Sequence, residues 1–455
     1  MLDLNRPMRI HLIGAGGAGM SALAKLLSSK NHEVSGSDIR MAPIMANLAD
    51  LGVDVWEGSR PGAIQECELV VASSAVPETD PEYRAALEAG ITVWERPELL
   101  ASITAQIPTI GATGTHGKTT STALMIAAIR ATGLDPSFLV GGELTDLRTN
   151  AHLGSDELLV LEADEAFSTF SHLSLKGLMV TNVEADHLDH YETLDRLEEA
   201  FAEVVRKVDG PVVVGVDDPG GRRLAERTSR PTYGTSSGAD WQIANVSEKG
   251  TSVSFALHGP TEQYDVEVGR PGLHVARNAS GVLALLGELG HDIGEASQGL
   301  STFAGVKRRL ETRAKVAGVT IMDSYAHHPT EVAADLRAVA NGGWRRIWVV
   351  FQPHLYSRTA ALAGEFGGSF SGADHVVVTD VYGSREAPVP GVTGELVADA
   401  AQARSGADVH YVPRLGDVVE FLSGRVGAGD LILTLGAGDI TMVPDEIAPR
   451  LAQRT

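Results

Sequence analysis

The sequence predicts an α/β protein assembled from three modules. Three observations carry this expectation. The chain has 455 residues, about three times the ~150 residues of an ordinary domain. Short apolar runs alternate with segments of helical spacing along most of it, the pattern of right-handed βαβ units on a parallel sheet. Glycine-rich turns stand between strand and helix, where such sheets bind ligands.

The elements follow in order. The first segment has an apolar run at 8–13, the turn Gly14-Ala15-Gly16-Gly17-Ala18-Gly19, helical spacing over 20–27, and a strand over 33–37 ending at Asp38. A strand at 69–72, a helix near 83–88 and a strand at 91–94 continue the alternation, with a boundary near 106–108. The second segment has a strand at 109–112, a helix over 119–131, and buried-strand candidates at 157–161, 178–181 and 211–214. Residues 253–257 alternate with period two, which suggests an antiparallel hairpin. A helix over 276–289 follows. The third segment, from about 312, reads as a further α/β unit: strands at 319–322, 347–351, 375–379 and 431–435, and a helix at 330–340.

Composition excludes several classes. Lys and Arg total 37 against 59 Asp and Glu, a net charge of −22. That opposes a nucleic-acid face or an anionic membrane surface as the main business. Hydrophobic residues at 43% and charged residues at 21% are a globular balance, not a disordered one. The single cysteine, Cys67, rules out an intramolecular disulfide and a Cys-cluster metal site. With no apolar stretch of about 18 residues and no leader pattern, the expectation is a cytoplasmic protein, monomer or homodimer.

Six loops carry chemistry. In Gly14-x-Gly16-x-x-Gly19 the glycines allow a tight turn and bring backbone N–H groups to a pyrophosphate at a helix start. Asp38, at the end of the next strand, is placed for a ribose or base. The turn alone leaves NAD, FAD and a UDP-sugar open. Ala112-Thr-Gly114-Thr115-His116-Gly117-Lys118-Thr119 is a P-loop with Ala where the strict pattern has Gly. Its backbone is expected to cradle phosphates, with Lys118 neutralising β/γ charge and the Thr119 hydroxyl set for Mg²⁺. Glu162, at the end of the 157–161 strand, has the place of a Walker B acid, followed by Asp164 and Glu165. Asn182-Val-Glu184-Ala-Asp186-His187-Leu-Asp189-His190 packs five ionisable groups into a loop after a strand, which favours ligation of a second ion. In the third segment, 323–329 and 352–358 are polar loops after strand ends; together they favour a substrate site.

These loops, in this order, resemble the Mur ligase family over essentially the whole chain. The resemblance rests on GAGGAGMSALA from Gly14, SGSD from Ser35, SSAVP from Ser73, GTHGKTT from Gly114, EADE from Glu162, TNVEADHLDHY from Thr181, GVKRRLE from Gly305, DSYAHHPTEV from Asp323, FQPHLYSRT from Phe351 and GAGD from Gly436. It implies three domains: an N-terminal Rossmann-like domain for a UDP end at 1–107, a central P-loop ATPase with a mixed sheet at 108–311, and a C-terminal Rossmann-like domain at 312–455. The implied reaction is ATP-driven amide formation through an acyl phosphate. The lactyl carboxylate of UDP-N-acetylmuramate takes the γ-phosphoryl group, and L-alanine then displaces phosphate.

By resemblance, Gly14, Gly16, Gly17, Ala18 and Gly19, with Ser37, Asp38, Ser73 and Ser74, serve the UDP end. Gly114, Thr115, His116, Gly117, Lys118, Thr119 and Thr120 hold ATP, with Asn278 at the adenine and Arg309 and Asp323 in the hinge and nucleotide region. Thr119 and Glu162 hold one Mg²⁺; Glu162 and His187 hold a second. His116, Glu165 and His190 line the muramate site. Tyr325, His327 and Arg358 lie near the amino acid, Arg358 pairing with its carboxylate. Lys118, Glu162, His187 and Arg358 form the catalytic set. The chain departs from the usual family sequence at Ala166-Phe167 and at Leu355. No lysine stands between His187 and Arg206, as in the alanine-adding type; a recycling ligase that adds a tripeptide to the same sugar nucleotide is second. A nicotinamide dehydrogenase would leave the P-loop idle, and a P-loop switch would leave the third-segment loops without work.

Overall fold

The computed structural model describes residues 2–186, 188–384 and 386–453. It contains three sheets. In the first, β1 (Arg9–Ile13), β2 (Glu33–Asp38), β3 (Asp54–Glu57), β4 (Leu69–Ala72) and β5 (Thr92–Glu95) lie in the order β3-β2-β1-β4-β5. All four pairings are parallel. Helices α1 (Ala18–Ser29), α2 (Pro43–Asp50), α3 (Pro81–Glu88) and α4 (Arg96–Thr104) make the crossovers and the exit.

The second sheet has ten strands: β6 (Thr109–Thr113), β7 (Pro136–Leu144), β8 (Thr149–His152), β9 (Asp156–Glu162), β10 (Gly177–Val180), β11 (Val212–Gly215), β12 (Thr232–Gly234), β13 (Trp241–Lys249), β14 (Ser252–His258) and β15 (Gln263–Val268). Their order is β15-β14-β13-β12-β11-β10-β6-β9-β7-β8. The β6 strand lies between β9 and β10, parallel to both, and β8 is antiparallel to β7, so the sheet is mixed. The helices are α5 (Lys118–Ala131), α6 (Leu188–Tyr191), α7 (Leu194–Lys207), α8 (Pro219–Thr228), α9 (Leu273–Glu288) and α10 (Ile293–Ser301).

The third sheet contains β16 (Glu311–Val316), β17 (Val319–Ser324), β18 (Ile347–Phe351), β19 (His375–Val378), β20 (Asp408–Tyr411) and β21 (Leu431–Leu435), ordered β16-β17-β21-β18-β19-β20. Only the β16–β17 pair is antiparallel. Around it stand α11 (Pro329–Val339), α12 (Tyr356–Ser369), α13 (Glu395–Arg404), α14 (Leu415–Ser423) and α15 (Val443–Ala452). Its strands are near-continuous apolar runs such as Ile347-Trp-Val-Val-Phe351, buried on both faces, as parallel sheets covered by helices require.

The chain packs into two compact units. One holds the first two sheets apart from 247–253, at the β13–β14 turn; the other holds that stretch, 269–275 and 305–455. Within the first unit a single apolar core runs from Leu12 and Leu23 to Leu159 and Phe201. Polar contacts join its sheets: Lys25 Nζ donates to Asn150 Oδ1 (2.8 Å), and Asn150 Nδ2 donates to the carbonyl of Ala18 (2.9 Å). The glycine turn of the first module is thereby tied to the second. Among the described residues no helix is long and apolar enough to cross a membrane.

Candidate active site

The P-loop follows β6 and ends in α5. Gly114 and Gly117 have φ of +129° and +84°, a region that strains any residue with a Cβ. Space closes out a Cβ at Gly114 and crowds one at Gly117. A Cβ on Gly114 would stand 2.0 Å from Thr181 Oγ1, and one on Gly117 would stand 3.0 Å from Asn278 Oδ1. Helix α5 starts at Lys118 with no side-chain cap and no acidic residue in its first turn, Lys118-Thr119-Thr120. An uncapped helix start of this kind, with its dipole, suits an anion.

The cradle is narrower than expected from sequence. Thr115 N donates to the Asn182 carbonyl (3.1 Å) and His116 N to Asn182 Oδ1 (2.9 Å). Those two N–H groups brace the loop against the segment after β10. Thr181 Oγ1 adds bonds to the carbonyls of Thr113 (3.1 Å) and His116 (2.6 Å). His116 Nε2 lies 3.5 Å from Glu184 Oε2.

Glu162 ends β9, opposite Ala112 of β6. The Thr119 hydroxyl stands 3.1 and 3.0 Å from its two carboxylate oxygens, and Gly141 N donates to Oε2 (2.9 Å). Gly141 was not singled out in the sequence, although a Gly pair inside a strand run signals close approach. A Cβ there would meet Glu162 Oε2 at 2.6 Å.

Lys118 curls back over its own loop. Its ammonium bonds the carbonyls of Gly114 (2.8 Å) and Thr115 (3.2 Å) and pairs with Glu165 Oε1 at 2.7 Å. Burial alone would lower its pKa. Glu165, backed by Asp164 and Glu162, outweighs burial and raises it, so the ammonium stays charged. Glu165 is pushed up to about 7 by burial, with Asp164 adding to the rise and Lys118 opposing it. One cation thus sits among three carboxylates, and hydroxyl plus carboxylate oxygens are the donor set a hard divalent cation takes. His190 Nε2 is 3.0 Å from Ser168 Oγ, and the Tyr191 hydroxyl donates to the Glu165 carbonyl (2.6 Å). The metal-ligand candidate His187 lies outside the described residues.

At the first glycine turn, Gly14 has φ +87°, and Gly16 N donates to Asp38 Oδ2 (2.9 Å). Asp38 therefore closes the turn. Ser37 departs from its expected place at the ligand. Its side chain is buried, with the hydroxyl donating to Glu82. Only its carbonyl serves the turn, taking Gly14 N (2.8 Å) and Ala15 N (2.9 Å). Ser73 packs under Gly14; Ser74, Gly17 and Ala18 are exposed. Sequence reasoning missed Arg96. A Cβ on Gly19 would stand 2.9 Å from its guanidinium carbon, so a cation rests against the start of α1.

In the second unit, the loops after β17 and β18 bring Tyr325, His327 and Arg358 together through His354, which was not assigned a role from sequence. The Tyr325 and His327 rings are 5.3 Å apart and the His327 and His354 rings 5.5 Å. Arg358 Nη1 lies 3.3 Å from His354 Nδ1. Arg308 and Arg309 lie over the Tyr325 ring at 5.1 and 5.2 Å. Asp323 also departs from expectation. It is wholly buried and accepts from Thr434 Oγ1 (2.6 Å), Thr441 Oγ1 (2.7 Å) and Arg308 Nε (3.2 Å). Its carboxylate is spent holding Arg308.

Fold and site define a P-loop nucleotide-binding protein with additional α/β modules on either side in sequence. Sequence models match in three stretches: "Mur ligase family, catalytic domain" over 9–107, "Mur ligase middle domain" over 112–286, and "Mur ligase, glutamate ligase domain" over 308–438. The UDP-N-acetylmuramate–L-alanine ligase of Rubrobacter xylanophilus is 42% identical, with 98% of this chain and 100% of that protein covered. That of Thermobifida fusca is 39% identical over 99% and 98%. Among solved structures, the UDP-N-acetylmuramate–alanine ligase of Thermotoga maritima superposes with a TM-score of 0.85 at 27% identity, covering 98% of this chain and all of that one. A murein peptide ligase from Psychrobacter arcticus gives 0.72 at 25% identity over 98% and 99%. The chain belongs to the Mur ligase family.

Proposed function

We propose that the protein joins L-alanine to the lactyl carboxylate of UDP-N-acetylmuramate at the expense of ATP. The observation that carries this is the buried Lys118 beside Thr119 and Glu162 at the start of an uncapped helix, in a chain about 40% identical over its length to ligases named for that reaction. A murein peptide ligase matches at 25% identity, which ranks the tripeptide-adding reading second.

A carboxylate is a poor electrophile with no leaving group. The lactyl oxygen attacks the γ-phosphorus, ADP departs, and the resulting acyl phosphate accepts the alanine amine; phosphate leaves as the amide forms. Lys118 moves from its carboxylate partner to the transferring phosphoryl group, where a fixed cation stabilises developing charge. Thr119 and Glu162 hold Mg²⁺, which neutralises phosphate oxygens when bound. The α5 start orients the triphosphate; Asn278, against Gly117, borders the nucleotide. His116, Glu165 and His190 face the muramate end. The first glycine turn and Arg96 bind the UDP diphosphate. Tyr325, His327 and Arg358 receive alanine, Arg358 pairing with its carboxylate; Arg309 lies over the Tyr325 ring.

The test is phosphate release from ATP and Mg²⁺ with UDP-N-acetylmuramate and each amino acid or tripeptide in turn. Alanine-dependent release is expected; tripeptide-dependent release in its place transfers the assignment to the recycling reaction. Arg358→Ala should raise the alanine KM about tenfold or more, as loss of a charge-assisted pair implies, with the ATP KM unchanged. Equal effects on both would make Arg358 a residue of the fold.

A further inference from the structure

We propose that His375, Asp408 and His410 form a binding site for one borderline divalent transition-metal ion, of the Zn²⁺, Co²⁺ or Ni²⁺ class, on the outer edge of the third sheet. His375 and Asp408 are register partners on the parallel strands β19 and β20. His410, two residues further on, projects from the same face as Asp408 because side chains alternate along a strand. The three side chains therefore converge by the register of the sheet and not by the conformation of a loop.

The spacing fits a shared ion. His375 Nδ1 is 3.2 Å and His410 Nε2 is 3.0 Å from the same oxygen, Asp408 Oδ2. All three ligand atoms lie within 4.8 Å of one another. Ligands held about 2.1 Å from one metal stand ~3.0 Å apart at an octahedral edge and ~3.4 Å apart at a tetrahedral one. Two imidazoles with a carboxylate favour these metals over Mg²⁺ or Ca²⁺, which take oxygen sets.

The rings are held in place from behind. His375 stacks on Trp348 with centroids 3.8 Å apart and planes at 14°, and His410 packs on Phe421 at 4.9 Å. Side-chain exposures of 19%, 60% and 30% leave the cluster open to solvent. The site is separate from the polar loops: His375 and Asp408 are the first residues of their strands, whereas those loops leave the far ends of β17 and β18. Strand β20 is the edge of its sheet. An ion here clamps that edge strand to its neighbour and stabilises the folded unit by mass action.

The experiment uses the full chain with saturating Mg²⁺ and a non-hydrolysable ATP analogue, so that the nucleotide site is filled. Zn²⁺ is titrated calorimetrically. Ni²⁺ is titrated by tryptophan emission, since an ion on His375 quenches Trp348. Wild type should bind one ion more than His410→Ala, and its melting temperature should rise with Zn²⁺ where the variant's does not. Asp408→Asn should weaken binding at least about tenfold, the lower end of what losing even an orienting partner costs a metal site. With a chelator selective for transition metals and Mg²⁺ kept saturating, both variants should melt near wild type and keep ligase activity, which shows that they fold. Equal stoichiometry and affinity in wild type and both variants, or no ion bound by wild type beyond the nucleotide site, overturns the proposal.

Discussion

The glycine turns at Gly14–Gly19 and Gly114–Thr119 share a backbone plan and differ in charge. Each follows a buried strand and starts a helix whose N-cap is a glycine, Gly17 or Gly117, with no side-chain cap and no acid in the first turn. Each therefore offers N–H groups and a helix dipole to an anion. The first turn is closed by Asp38 and flanked by the Arg96 guanidinium. The second contains a buried ammonium ringed by Glu162, Asp164 and Glu165. On the proposed function, one plan thus serves a place that would hold a diphosphate and a place that would move a phosphoryl group. Backbone supplies anion affinity in both, but only the second adds a desolvated cation and metal-binding oxygens where charge develops.

The largest expected effect tests this contrast directly. Lys118→Ala should lower kcat about 10³-fold or more while leaving UDP-N-acetylmuramate binding intact; near-normal phosphate release would erase the distinction between the turns. Glu162→Ala should cost about 10²-fold and raise the Mg²⁺ concentration needed for half-maximal rate. An unchanged metal requirement would remove Glu162 from the ion.

A buried network under the first turn sets a stability effect of about 3 kcal/mol. Burial opposes the Glu82 charge, but His11 Nε2 (3.2 Å), the Arg60 N–H (2.6 Å) and the Ser37 hydroxyl outweigh it; Trp56 Nε1 donates to the same carboxylate (2.9 Å). The pKa falls from 4.5 to about 2, a difference of about 3 kcal/mol at neutral pH. A pKa lower in the folded state gives stability that is complete above about pH 4.5 and is lost as pH falls toward 2. Glu82→Gln should lower the melting temperature at pH 7 and flatten the acid limb between those values. A limb as steep as wild type's would assign the acid sensitivity elsewhere. The smallest effect is at Arg96. Arg96→Ala should raise the KM for UDP-N-acetylmuramate about tenfold, the weight of one charge-assisted contact, and leave that for ATP unchanged. A matching rise for ATP would mean that Arg96 supports the whole unit.

Much of the fold was legible where glycine and apolar runs punctuate the chain. The strands at β1, β6, β9, β10 and β17 and the helices α1, α5 and α11 fall within a few residues of expectation. Strand β3, with the sequence Asp54-Val-Trp-Glu57, carries charge at both ends and escaped notice, because pairing with β2 supplies what its composition lacks. The meeting of Lys118, Thr119 and Glu162 is also foreshadowed in sequence, since all three stand at strand ends or the helix start that follows one. Gly141, Asn150, Arg96 and His354 were not. Each acts on a partner at least 20 residues away or through a ring contact, and no local pattern encodes such a meeting.

Local chemistry settled the turns and the helix starts and nominated the groups proposed to handle phosphate, because left-handed backbone, uncapped N–H groups and a lysine at a P-loop are properties of neighbouring residues. Which N–H groups remain for phosphate, which serines and aspartates turn inward, and where two histidines meet one carboxylate were settled by strand order and register. Those depend on burial of whole faces, a long-range quantity that no short stretch of chain contains.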